Sequence, residues 1–422
     1  MAQAKPMRIP RLDSFEANNE SHDLLITIPS LNNLPTELIV RIFVMTQNPD
    51  LRLVNRRFHE ISSSNLLRAH YIYWHYGPSE AMSAEAVRCP LFSRSVAEIL
   101  LSFDCDLIPI EEGIVDWAIQ HGYINLCETI FRIMQSRNIP PLDYYSIKAA
   151  EEGSIAVFEL LMSMFNTPGS FAQEAILKCA SVVNRIDFVR HVIEPPYNFD
   201  HRFKDEYLLR QAAYSGYFEL VQLFISHGSD IHCRGEGALM DATHRGHYQI
   251  TQLLLNNGAD LHVNEDCALR FSAAKGHADV VKLLLDHGAY ATAQHSKALR
   301  QASKSGYKDV VKLLLDSGAD PNAGMGAPLA GAALNGHLDV VQLLLAHGAN
   351  IDSRGGSRAV QLAIRDGHVD VVRELVKAGA DLESEETVKL LQRRGREDVL
   401  KAVEELGWQN PAGTSRPVRE VS

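Results

Sequence analysis

No apolar run in this chain reaches the roughly eighteen residues that a membrane-spanning helix needs, so no membrane span is expected. The first residues also lack a basic segment followed by an apolar one, and a secretory signal is not expected either. Cysteine is scattered: Cys89, Cys105, Cys127, Cys179, Cys233 and Cys267 form no C-x-x-C pair, which argues against a disulfide framework and a zinc module. Reduced structural thiols are the expected state. The sequon Asn19-Glu20-Ser21 is then silent, because it needs a secretory route. Basic residues are outnumbered, 41 Lys and Arg against 52 Asp and Glu, for a formal net charge of -11. An acidic chain is a poor generic nucleic-acid binder. These absences together predict a protein of the cytoplasm or nucleus, with no nucleic acid and no membrane among its partners.

Recognisable catalytic settings are missing as well. No Ser, Cys or carboxylate sits in a nucleophile or acid/base motif, so the chain is expected not to be an enzyme and to need no cofactor. Gly324-Met325-Gly326-Ala327-Pro328 completes neither glycine fingerprint and lacks the lysine of a phosphate loop. Many of the 18 histidines recur at fixed places: His247, His277, His337 and His368 follow one set of glycines, and His227, His287 and His347 precede another. Identical positions thirty residues apart do not converge on a point as a metal or catalytic site requires.

What the chain has in abundance is repetition. Gly216, Gly246, Gly276, Gly306 and Gly336 are thirty residues apart, and Gly228, Gly258, Gly288, Gly318 and Gly348 keep the same step. A fixed step of this length marks a stacked repeat array. One unit reads His277-Ala278-Asp279-Val280-Val281-Lys282-Leu283-Leu284-Leu285-Asp286-His287-Gly288-Ala289, a short helix closed by a glycine suited to a left-handed conformation. Its apolar residues occupy two faces, Val280/Leu284 and Val281/Leu285. A lone helix cannot bury both, so neighbours must stack on either side and the core must run from unit to unit.

The unit of Gly-His, Asp-Val-Val, Leu-Leu-Leu and His-Gly-Ala-Asp/Asn resembles the ankyrin repeat, most clearly over six units from Tyr207 to Asp381. Aligned on the inter-helix glycine, a small residue recurs four positions earlier: Ala118, Ala149, Ala180, Ala212, Ala242, Ser272, Ala302, Ala332 and Ala363. Weaker copies therefore precede the clear ones, giving about nine units and a charged tenth, Leu390 to Gly407, that reads as a cap. Two features depart from the family. The units are thirty residues long where about 33 is usual, which predicts short hairpin loops. The Thr-Pro-Leu-His opening survives only as Ala327-Pro328-Leu329, and Arg210, Arg270 and Arg300 stand where its histidine would be. Such an arginine either snorkels outward with its stem packed or presents a guanidinium to a partner.

The first hundred residues differ in kind. A polar stretch to His22 has no sustained periodicity and is expected to be disordered. Leu38, Ile39, Ile42 and Phe43 then fall at helical spacing behind Pro35, and Leu51, Val54, Phe58 and Ile61 do the same in a second helix. Leu34-Pro35-Thr36-Glu37-Leu38, Ile42-Phe43 and Leu51-Arg52-Leu53-Val54 to Arg57-Phe58 resemble the F-box, with a linker a few residues shorter than usual. That resemblance implies docking on the Skp adaptor of a Skp-cullin-F-box ubiquitin ligase through Leu34, Pro35, Leu38, Ile42, Leu53 and Val54. The other reading is two ordinary helices that cap the array with no adaptor bound. Tyr71-Ile72-Tyr73-Trp74-His75-Tyr76 reads as packing glue between helical modules, and Val96 to Phe103 as an outer helix.

The fold expected is all-α: an ankyrin-repeat solenoid with short loops, preceded by a small helical F-box-like segment. The divisions are residues 1–27 disordered, 28–68 F-box-like, 69–111 a helical connector, 112–408 the array and 409–422 a disordered tail. Partner recognition is expected on the concave side of the inner helices. There Tyr214, His244, Arg245, Lys275, Lys304, Asn335 and Arg365 join Arg210, Arg270 and Arg300 in a locally basic strip, suited to an acidic or phosphorylated segment. A solvated polar face with nothing attached is the competing reading. The function expected is a monomeric substrate receptor of a ubiquitin ligase, with an ankyrin scaffold lacking any ligase role as the alternative.

Overall fold

The computed structural model describes residues 64–77, 80–89, 91–103, 105, 113–137, 143–165, 167–393 and 396–409. Contacts divide the chain into two units, residues 1–145 with 163–165, and residues 146–162 with 166–422. All helices and no strands are found among the described residues.

The first unit contains α1 (Asn65–Tyr76), α2 (Ala84–Val87), α3 (Arg94–Leu101), α4 (Ile114–Gln120), α5 (Ile124–Ser136) and the start of α6 (Asp143–Glu152). Its core is built on Ile72, Leu91, Leu100, Ile119, Phe131 and Tyr145. Part of the aromatic run works as glue: Tyr71 and Ile72 are buried, and burial pushes the Tyr71 hydroxyl up to about 12. α3 begins two residues before the expected Val96, because the Ser93 hydroxyl accepts the Val96 N–H and caps the first turn. Cys127 lies wholly inside this unit, and burial pushes its thiol up to about 12, which makes it a packing group with no thiolate character at neutral pH.

The second unit holds most of α6 and of α7 (Ile155–Met164), followed by eight helix pairs. They are α8 (Ser170–Val182) with α9 (Ile186–Ile193), α10 (Phe203–Ser215) with α11 (Phe218–Ser226), α12 (Cys233–Arg245) with α13 (Tyr248–Asn256), and α14 (Val263–Lys275) with α15 (Ala278–Asp286). The remainder are α16 (Ala293–Ser305) with α17 (Lys308–Asp316), α18 (Ala323–Leu334) with α19 (Leu338–Ala346), α20 (Arg354–Asp366) with α21 (Val369–Lys377), and α22 (Glu385–Leu391) with α23 (Glu397–Glu405). The even-numbered member of each pair is the inner helix. Adjacent valines of the outer helices are both buried, Val280 at 1% and Val281 at 0% exposure, so the two apolar faces are each covered by a neighbouring pair. Inner helices bury alanine and serine (Ala268, Ser272 and Ala273; Ala298, Ala302 and Ser303), which lets their backbones approach.

Both ends of a pair close in the same way. Gly306 N–H bonds to Ser303 O and Tyr307 N–H to Ala302 O, while Gly288 N–H bonds to Leu285 O and Ala289 N–H to Leu284 O. These are Schellman pairs, and they require the left-handed φ of 79° at Gly306 and 96° at Gly288. The repeated histidines complete the closure. His337 donates from Nε2 to Lys304 O at 3.1 Å, across to the preceding pair, and His287 donates from Nδ1 to Leu283 O at 2.8 Å, a carbonyl that also accepts its backbone N–H. Each bond also fixes the ring's tautomer, since a carbonyl can only accept.

The shortened connection between pairs is made by a left-handed turn. Asn264, Glu265 and Asp266 have φ of 51°, 56° and 56°, and Gln294, His295 and Ser296 repeat this at 49°, 54° and 52°. The same turn opens α10, α12 and α18, but not α20, where the Ser353 hydroxyl caps an ordinary helix start by accepting from Gly356. The third residue of the turn points inward and ties one pair to the next. Asp266 accepts from Tyr290 N at 3.1 Å, Glu206 from Asp230 N at 3.0 Å, and Ser296 from Asp320 N at 3.0 Å. Asp266 also accepts His262 Nδ1, and Glu236 accepts His232 Nδ1, a bond that raises the His232 pKa.

Candidate protein-binding face

The inner helices of the second unit carry the residues expected to meet a partner. Tyr214, Arg245, Lys275, Lys304, Asn335 and Arg365 are exposed, and His244 is half-buried edge-on to Phe271 at 5.9 Å. They lie just before the turn glycine, on inner helices packed between the preceding and the following pair.

Several of these groups are engaged within the chain. Arg365 is forked onto Asp366 at 2.9 and 3.0 Å, and these bonds hold the Asp366 carboxyl below its ordinary range. Arg245 lies over the Tyr214 ring, 4.6 Å from its centre. Asn335 donates to both Lys304 O and Gly331 O at 3.0 Å. Of the three arginines at the family's histidine position, Arg210 and Arg270 bond across to the next pair and Arg300 bonds within its own helix. Arg210 reaches Asp241 of the next pair at 3.4 Å. Burial raises the Asp241 pKa, and Arg210 works against that rise. Arg270 donates to Gln294 Oε1 at 2.9 Å and to Asn264 O at 3.3 Å, and Arg300 donates to Gln294 O at 3.4 Å.

Lys304 has a different surrounding. It lies in a cleft of about 360 Å³ with Arg354, Arg358, Gly324, Met325, Ala327, Ala330, Gly331, Leu334 and Leu362. Lys304, Arg354 and Arg358 are exposed and form no ion pair with any described residue. The floor is α18, whose sequence AGMGAPLAGAAL has no ionisable group. It is set low by close backbone approach: a Cβ on Gly326 would stand 2.8 Å from Gly355 Cα, and one on Gly331 would stand 3.3 Å from Lys304 Cβ. Aligning the sequence on the turn glycines selects Lys304 but passes over Arg354 and Arg358, which sit at the other end of their helix. A charge tally helix by helix finds them, since α16, α18 and α20 contain six Lys and Arg and a single acid, Asp366.

The expected adaptor-docking residues Leu34, Pro35, Leu38, Ile42, Leu53 and Val54 lie outside the described residues. Among the described residues no group of three His, Cys, Asp or Glu side chains is placed to hold a metal ion, and no helix is long and apolar enough to cross a membrane. All six cysteines carry free thiols.

Comparison with curated proteins finds no match. A family model described as the YDR249C N-terminal domain matches residues 32–63, the stretch with F-box-like spacing. Among solved structures, the human ASB11 ankyrin repeat domain aligns with a TM-score of 0.43 and 23% identity, covering 46% of this chain and 96% of that one. The model for ankyrin repeats (3 copies) matches at residues 176–265, 239–325 and 299–386, together half of the 422 residues, and the chain belongs to the ankyrin repeat family.

Proposed function

We propose that this protein is a non-catalytic receptor whose inner-helix face captures a protein, while the amino-terminal helices tether it to the Skp adaptor of a cullin ubiquitin ligase. The observation that carries the first half is the exposed trio of Lys304 on α16 and Arg354 and Arg358 on α20, which have no carboxylate partner among the described residues on a protein of net charge -11. The strip on Arg210, Tyr214, His244, Arg245, Arg270, Lys275, Arg300, Lys304, Asn335 and Arg365 then has two roles. Arg210 and Arg270 hold the repeats in register, and Lys275 and Lys304 face the partner. The tether rests on the F-box-like residues Leu34, Pro35, Leu38, Ile42, Leu53 and Val54. The bound protein would be modified by proximity to a ligase that another chain supplies. Affinity purification of the full chain tests this: adaptor and cullin should co-purify with the wild type and be lost with Leu34→Ala/Pro35→Ala. Equal recovery from both would remove the ligase half.

A second reading, a scaffold with no ligase role, is favoured by the match of residues 32–63 to a family other than the F-box. Deleting residues 1–68 separates the two. A helix pair that merely caps the repeats would lower the melting temperature clearly when removed, whereas a tether would leave it unchanged.

A further inference from the structure

The run of inner helices α16, α18 and α20, whose single acid Asp366 is bonded to Arg365, has a shape as well as a charge. α18 forms a low floor of Ala327, Ala330, Gly331 and Leu334, and long cationic side chains rise on either side, Lys304 from α16 and Arg354 and Arg358 from α20. Elsewhere on the inner face cations and acids alternate: Asp205, Glu206, Glu236, Asp241, Glu265 and Asp266 lie on α10, α12 and α14. The carboxylates of α22 are turned to other partners, Glu385 to Lys389 and Glu386 to Gln361. Three cations around one cleft make its local potential positive, which favours an anion entering it.

The floor narrows the anion's identity. A small inorganic ion would engage the walls and leave the apolar floor exposed to water. A nucleic acid strand is disfavoured because no aromatic ring lines the cleft for a base to stack on. The walls also give a spacing. Arg354 and Arg358 are one helical turn apart on the same face, about 5 to 6 Å between Cβ atoms. An extended strand repeats its side-chain direction every second residue, about 6.6 to 6.8 Å. Acidic residues at alternate positions of an extended segment would therefore meet the two guanidinia in succession, each by paired N–H to carboxylate bonds. The intervening side chains would face the floor and Leu362, with the exposed Met325 as an adaptable apolar edge.

We infer that the trough between α16 and α20 binds an extended acidic protein segment in which carboxylate and aliphatic side chains alternate. This rests on the inner-helix face being the capture surface, and it selects the partner's chemistry and its seat.

The test uses the full chain and a short fluorescent peptide of alternating glutamate and leucine, followed by anisotropy. The peptide should bind, weaken with added salt, and lose about tenfold or more in affinity when glutamine replaces glutamate. Arg354→Glu with Arg358→Glu should lose at least as much, and Lys312→Glu, an exposed cation on an outer helix, should change little. Gly331→Leu fills the floor and crowds Lys304 while leaving both arginines in place, and should also abolish binding. Arg354→Gln with Arg358→Gln, checked for an unchanged melting temperature, covers the case in which charge reversal disturbs folding. Equal binding of the glutamate and glutamine peptides, or no loss in either arginine variant, would overturn the inference. Tighter binding of a phosphoserine peptide or of a single-stranded oligonucleotide would overturn it too, in favour of those ligands. A protein partner still captured by the arginine variants would sink the trough while leaving the receptor reading standing.

Discussion

A methyl group placed on Gly306 would stand 2.6 Å from the His337 ring, whereas one on Gly288 would meet nothing within 4 Å. Both glycines are left-handed, so an alanine at either pays the conformational penalty of about 1 kcal/mol. Only at Gly306 must the ring also move, and with it the bond from His337 Nε2 to Lys304 O that joins one repeat to the next. A hydrogen bond of this kind contributes about 0.5 to 1.5 kcal/mol. Gly306→Ala should therefore destabilise by roughly 1.5 to 2.5 kcal/mol and Gly288→Ala by roughly 1, measured by urea unfolding. Equal losses at the two sites would mean that the ring contact contributes nothing. The same contact explains why histidine recurs after the inner glycine: it is a flat ring with an N–H at its far edge, which tyrosine at position 307 matches in flatness and not in that bond. The histidine spacing speaks against a ligand role, and the carbonyl partner supplies the role that spacing leaves unnamed.

At the scale of the element, the unexpected piece is the left-handed turn that opens five of the inner helices. The thirty-residue step tells that the connection is short, and the glycines at Gly235, Gly324 and Gly326 hint at positive φ. Glu265, Gln294 and His295 do not, because nothing about those side chains favours the left-handed region. The turn is set by its ends instead. A Schellman closure behind it and an inward Asp266 ahead of it, bonded to Tyr290 N and His262 Nδ1, leave only a tight reversed turn to span the gap. Glu265 is exposed and its φ is 56°, so Glu265→Gly relieves about 1 to 2 kcal/mol of backbone strain against about 0.5 to 1 kcal/mol of unfolded-chain entropy. The variant should gain about 0.5 to 1 kcal/mol in a denaturant melt. Glu265→Pro, locked near a φ of about -65°, should lose well over 1 kcal/mol. A tolerated proline would show that the turn at 264–266 is right-handed in solution. The helices themselves and their two buried faces were legible from periodicity, since Val280/Leu284 and Val281/Leu285 need no three-dimensional knowledge to be seen as two stripes. The trough was half legible: its cations are in the sequence, but the glycine contacts that lower α18 between them are a property of how the helices stack.

Across the whole chain, stability is distributed by neighbours. The main contacts of each helix pair in the second unit run to the pairs on either side, with no central core for distant pairs to share. In such an array the free energy is a sum of repeat terms and interface terms, so a lesion is felt where it is made. Leu284 is wholly buried in α15, between the outer helices α13 and α17. Leu284→Ala should cost about 2 to 5 kcal/mol, the range for a leucine removed from a packed core. A compact domain with one core would spread that loss over every slowly exchanging amide. Here hydrogen exchange should accelerate in α13 to α17 and leave α20 and α21 near their wild-type rates. Equilibrium unfolding should also broaden or divide into two steps, because the weakened interfaces let the segments on either side of it melt separately. Uniform acceleration from α8 to α23 with a single sharp transition would show instead that the array is one cooperative unit, and that its interfaces are far stronger than the repeats they join.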